Sequence, residues 1–142
     1  MSLIAFFSGS LIPAMFVFTV QPPSEVKVAF EHRFANISDL KWHKENNHEY
    51  EASFKIAGAE YSANFDHTGK WLETESAIEC DQLPEKVKAA FNASYPGAKV
   101  KESAKIESYD AGTHYEVEFR RGGKTIEPVS YTHLTLPTSD LV

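Results

Sequence analysis

Pro23-Ser24-Glu25-Val26-Lys27-Val28-Ala29-Phe30 and Pro84-Glu85-Lys86-Val87-Lys88-Ala89-Ala90-Phe91 carry one pattern twice. Proline, valine, lysine, alanine and phenylalanine recur at the same spacing, and an aromatic, Phe34 or Tyr95, follows each copy. Val26, Phe30 and Phe34 fall at helical spacing on one face, as do Val87, Phe91 and Tyr95. Proline suits the first turn, where its missing donor would be unpaired anyway. Asn36-Ile37-Ser38-Asp39 ends the first helix and Pro96-Gly97 the second.

Working outward, the period changes from helical to alternating after each opening. In 48–57, Tyr50, Ala52, Phe54 and Ile56 point one way, and Glu49, Glu51, Ser53 and Lys55 the other. In 60–66, Tyr61, Ala63 and Phe65 alternate with Glu60, Ser62 and Asn64. This is the pattern of half-buried antiparallel strands. Leu40 and Trp42 begin an earlier strand, and 70–76 forms a later one. Gly58 and Asp66-His67-Thr68-Gly69 supply turns. The second copy follows with strands over 100–108, around Tyr115-Glu116-Val117-Glu118-Phe119 and over 124–129, turning at Gly122-Gly123. The expected fold is α+β: two short helices packed on one face of an antiparallel sheet, or of two linked sheets.

Composition narrows the function. Apolar content of 42% with 13% aromatics supports a packed core in a chain of 142 residues. A net charge of −6 without a basic cluster argues against nucleic acid. Cys80 is the single cysteine, with no partner for a disulfide or a Cys-x-x-Cys site.

The first 21 residues form a segment of their own: apolar, uncharged until Glu25, and closed by Pro22-Pro23. They are expected to be a signal peptide, with an uncleaved membrane anchor as the alternative. The domain is expected over 22–128, as repeats 22–79 and 82–128. The repeat then breaks. Where another Asp-x-x-Gly turn is due, the chain reads Val129-Ser130-Tyr131-Thr132-His133-Leu134. That run resembles a translated transposase-end adapter, GTC TCT TAT ACA CAT CT. Residues 129–142 are therefore expected to be a non-native tail, poorly packed or an ill-matched substitute strand. A truncated sheet edge would invite self-association.

Pro-x-x-Val-Lys-x-Ala-Phe, Tyr50-Glu51-Ala52, Phe65-Asp66-x-x-Gly69-Lys70-Trp71-Leu72-Glu73-Thr74-Glu75 and Leu83-Pro84 together resemble the beta-lactamase-inhibitor-like, PepSY-like proteins of bacterial envelopes. The resemblance implies a tandem helix-plus-sheet domain and export to the periplasm or beyond.

No nucleophile elbow, Walker loop, dinucleotide loop or His-Glu-x-x-His is present. His43 and His48 flank the Asn46-Asn47 turn, but two histidines do not make a metal site. Glu49, Glu51, Glu73 and Glu75 could offer a carboxylate pair for glycoside cleavage; alternation already explains them as a charged outer face. The expectation is an exported envelope binding module, inhibitor-like, without enzyme activity, metal or cofactor. Its partner would be another envelope protein, and its only membrane contact the N-terminal segment. Glu51, Ser53, Lys55, Glu60, Ser62 and Asn64 would populate the binding face. Trp71 either joins them by parity with Glu73 and Glu75, or lies in the core if the register slips at the 66–69 turn. A small envelope hydrolase and a structural envelope protein without a specific ligand are the alternatives.

Overall fold

The computed structural model describes residues 20–132. The segment expected to be a signal peptide or anchor falls, up to residue 19, outside the described residues, as do residues 133–142.

Helix α1 (Ser24–Arg33) begins behind Pro23, whose carbonyl accepts hydrogen bonds from the amides of Val26 at 3.1 Å and Lys27 at 3.2 Å. Helix α2 (Glu85–Ser94) begins behind Pro84, which accepts from Val87 at 2.9 Å and Lys88 at 3.0 Å. Both prolines thus sit at the cap, just before the first turn. The cap residue is extended, and the proline ring holds φ at −52° and −56°, suited to that position.

Strands β1 (Ile37–Lys44), β2 (Glu49–Ile56), β3 (Ala59–Asp66) and β4 (Trp71–Ile78) follow α1. A short 3-10 turn, Cys80–Gln82, precedes α2; the sequence reading had not found it. Strands β5 (Lys99–Ser108), β6 (Gly112–Arg121) and β7 (Lys124–Thr132) follow α2. All seven pair antiparallel in chain order in a single sheet, with β4 joined directly to β5 from Glu73↔Ser108 to Ile78↔Ser103.

The helices share one face. Val26 and Phe30 of α1 pack with Ala52, Phe54, Ala63 and Phe65, while Val87 and Phe91 of α2 pack with Leu83, Tyr115, Val117 and Phe119. The cross-strand row Phe54–Tyr61–Ser76–Lys105–Tyr115–Tyr131 runs unbroken from β2 to β7 and places both clusters on the same side. The first cluster is aromatic. The Phe30 ring lies 5.1 Å from Phe54 and 5.3 Å from Trp42, both edge-on, the arrangement favoured by the ring quadrupoles.

Two local departures have identifiable causes. β1 begins at Ile37, before the expected Leu40, and is interrupted by a register shift between Ser38 and Lys41 where Asp39 takes φ 56°. The bulge leaves Leu40 39% exposed. At the other end, β7 continues to Thr132, pairing Val129 with Val117 and Tyr131 with Tyr115. Both Val129 and Tyr131 pack against the second cluster.

The β3–β4 turn anchors α1. Asp66 Oδ1 accepts from the Thr68 amide at 2.8 Å, the Thr68 hydroxyl at 2.6 Å and the Lys70 amide at 3.0 Å. The Thr68 hydroxyl is the main reason the Asp66 carboxyl is held below its ordinary pKa. Gly69 closes the turn at φ +88°, against the first turn of α1: a Cβ there would stand 2.6 Å from the Glu25 carbonyl oxygen. Gly58 also has positive φ, +83°, but faces open space. Gly69→Ala should therefore cost about 2–4 kcal/mol, from backbone strain plus a clash with immovable backbone, against about 1 kcal/mol for Gly58→Ala. Urea denaturation of the two variants checks this; equal costs would mean the turn does not bear on α1.

Candidate functional site

The sheet face away from the helices follows from the register. One row crosses all the strands: Lys41–Ser53–Ser62–Glu75–Ile106–His114–Thr132. A neighbouring row runs His43–Glu51–Asn64–Glu73–Ser108. Glu51, Ser53, Lys55, Glu60, Ser62 and Asn64 all lie on this side, because Lys55 pairs with Glu60, Ser53 with Ser62 and Glu51 with Asn64. Glu60 is exposed, Glu51, Ser53, Lys55 and Ser62 are half-buried, and Asn64 is buried. Lys55 reaches Asp39 at 3.3 Å, and the Ser53 hydroxyl donates to Glu51 at 3.2 Å.

Trp71 belongs to the other side. A register shift between Asn64 and Phe65 pairs Phe65 with Trp71, so the parity linking Trp71 to Glu73 and Glu75 is broken by one extra residue. The indole packs beside the first cluster, its Nε1 donates to the Thr74 hydroxyl at 2.9 Å, and the Arg33 guanidinium lies 3.6 Å from the ring centre. The cation–π contact and the hydrogen bond satisfy both aspects of the side chain. Trp71 helps line a groove of about 650 Å³ beside α1, with Arg33, Phe65, Thr74 and Glu107.

At mid-sheet the polarity of the faces reverses. On β5, Ser103, Lys105 and Glu107 point to the helix side, between the two clusters, whereas Ala104 and Ile106 point away from the helices. Ala104 is 0% and Ile106 3% exposed, though neither belongs to a helix-side cluster. Beside them stands Glu75, 3% exposed, with neither carboxylate oxygen hydrogen-bonded; the buried Oδ1 of Asn64 also lacks a partner. Burial, reinforced by the charges of Glu116, Glu73 and Glu51, pushes the Glu75 carboxyl up to about 8. Burial is also the main cause of the raised values of Glu51, Glu73 and Glu116. Four carboxyl groups on β2, β4 and β6 therefore surround one patch whose centre is buried and short of donors.

Alternation alone puts Glu73 and Glu75 on a solvated outer face; the sheet places them outward but buries Glu75. The available signal was the alternation of β5, which puts Ala104 and Ile106 where polar residues stand in β2 and β3.

His43 pairs with Glu51, while His48 lies 5.7 Å from His67, ring to ring. Among the described residues, no group of three or more His, Cys, Asp or Glu is arranged to hold a metal ion. Cys80 is free and exposed. No described helix is long and apolar enough to cross a membrane.

Solved structures share this fold. A BLIP-like protein of Bacteroides fragilis is 22% identical, with a TM-score of 0.66, over 78% of this chain and 87% of that one. A "putative periplasmic" protein of Bacteroides eggerthii is 15% identical, with a TM-score of 0.67, over 78% and 90%. A DUF2874 family protein of Bacteroides ovatus is 17% identical, with a TM-score of 0.66, over 87% and 99%. No curated protein matches the chain. A family model described as "Putative beta-lactamase-inhibitor-like, PepSY-like" matches residues 48–127, more than half of the sequence, with all of β2 to β6 and the start of β7. With the helix-and-sheet architecture, that match makes the chain a member of the beta-lactamase-inhibitor-like, PepSY-like family.

Proposed function

We propose that this chain is an exported binding module that takes a protein partner on the sheet face away from its helices. The observation carrying this reading is the buried, unpaired Glu75 at the centre of that face, beside Ala104 and Ile106. Buried polar groups in folded proteins are nearly always hydrogen-bonded, and those that are not call for an explanation. A partner that docks over the half-buried Glu51, Ser53, Lys55 and Ser62 around it and brings donors to this face accounts for the unpaired groups. An inhibitor-like role fits the description of the B. fragilis structure, and a periplasmic or secreted location fits that of the B. eggerthii one. A hydrolase reading would need a pocket around an acid–base pair. The groove of about 650 Å³ lies on the opposite side of the sheet and is lined by none of the four carboxylates.

The test is photo-crosslinking in the native host. p-Benzoylphenylalanine in place of Ser62 should trap a discrete protein, while the same group in place of Lys86, exposed on α2, should trap none. A partner captured from Lys86 and not from Ser62 would assign the function to the helix side.

A further inference from the structure

We propose that the groove beside α1 is a second binding site, which takes a small aromatic carboxylate through the guanidinium of Arg33. The groove lies on the helix side of the sheet, so this site is separate from the docking face and does not depend on it.

Arg33 ends α1, and its Cζ lies 3.6 Å from the centre of the Trp71 ring. At that separation the planar guanidinium lies flat on the indole, because a nitrogen aimed at the ring would fall inside van der Waals contact. Its N–H groups then point sideways, clear of the ring, in the fork that matches a carboxylate. The indole beneath is itself fixed: Nε1 donates to the Thr74 hydroxyl at 2.9 Å, and Thr74 is 6% exposed. No ion pair occupies the fork. The salt bridges among the described residues are those of Lys55, Lys88, Lys101 and Lys105, and none involves Arg33.

The charged and titratable groups lining the groove are His32, Arg33 and Glu107. Glu107 is engaged elsewhere, because its carboxylate accepts from Lys105 Nζ at 2.7 Å, which offsets its charge. Arg33 is left as a cation without a counter-ion among the described residues. A singly charged carboxylate matches it, whereas a dianionic phosphate would also meet repulsion from Glu107. The rest of the wall is apolar and within reach: Ala29, Phe34 and Trp71 are each half-buried, and Arg33 is exposed. A volume of about 650 Å³ suits a small molecule whose aromatic ring lies on that wall while its carboxylate meets the fork.

The full-length chain, labelled with nitrogen-15, is titrated near neutral pH with phenylpropionate, its amide, propionate and phenyl phosphate. Phenylpropionate is expected to shift the indole N–H of Trp71 and the amides of Ala29, Phe34 and Thr74, and to leave those of Val117 and Phe119, under α2, in place. Arg33→Gln should weaken its binding roughly tenfold or more. Arg33→Lys keeps a cation beside the indole but not the fork, and should weaken it roughly threefold or more. Arg121→Gln, the same charge change at the exposed end of β6, should alter it less than about twofold. Equal weakening by Arg33→Gln and Arg121→Gln, or wild-type affinity in Arg33→Lys, would overturn the proposal. So would the amide or propionate binding as well as phenylpropionate, or phenyl phosphate binding more tightly. An unmoved Trp71 indole signal with phenylpropionate would overturn it outright, while the crosslink from Ser62 decides the docking face independently.

Discussion

Replacing Glu75 by Gln should change stability by no more than about 1 kcal/mol near pH 5 and raise it by about a further 4 kcal/mol near pH 9. The Glu75 carboxyl is held at about 8 in the folded protein, against the ordinary 4.5. Between those values the folded state keeps a proton that the unfolded chain has released. Raising pH then favours unfolding, by about 1.4 kcal/mol per unit. The penalty is absent below the lower value and complete above the higher one. Glutamine keeps the shape without a titrating group, so the variant escapes this dependence. Urea denaturation of both proteins over this pH range is the measurement. Parallel pH profiles would mean that Glu75 ionises normally in the folded state.

Phe30→Ala should cost about 3–5 kcal/mol, near the upper end for a core truncation. Phe30 is 2% exposed and its ring meets those of Phe34, Trp42, Phe54 and Phe65 with centroids 5.1 to 6.3 Å apart. Three of the surrounding rings stand on β1, β2 and β3, held by the sheet register, and Phe34 caps the end of α1. Val28, on the same helix but 51% exposed, is the control, and Val28→Ala should stay within about 0.5 kcal/mol. A Phe30→Ala cost below about 1.5 kcal/mol would mean that α1 is not held by this cluster.

The elements of this fold were legible because each obeys a simple period. Val26 and Phe30 read as one helical face and are buried; Tyr50, Ala52, Phe54 and Ile56 read as one strand face and face α1. Single-residue shifts were not legible. A bulge adds one residue to one strand, leaves the local composition unchanged and reverses every side chain beyond it. That is why parity misplaced Trp71, which the shift at Asn64/Phe65 turns toward Arg33. The first six candidate residues, on strands without such a shift between them, keep a common face. Glu75 was legible as an outward residue but not as a buried one. Its raised carboxyl depends on burial beside Ile106, its partner on β5, and on the charges of Glu116, Glu73 and Glu51, which only the assembled sheet brings near it.

The bland alternative is that the carboxylates of the open face are an ordinary solvated surface, and the carbon-13 titration of the Glu75 carboxyl separates the two most directly. With the full chain labelled and the Glu75 signal assigned through Glu75→Gln, the account expects a midpoint near 8. A midpoint within the ordinary glutamate range of roughly 4 to 5 would contradict it, showing a hydrated carboxylate with no unmet demand for a partner's donors.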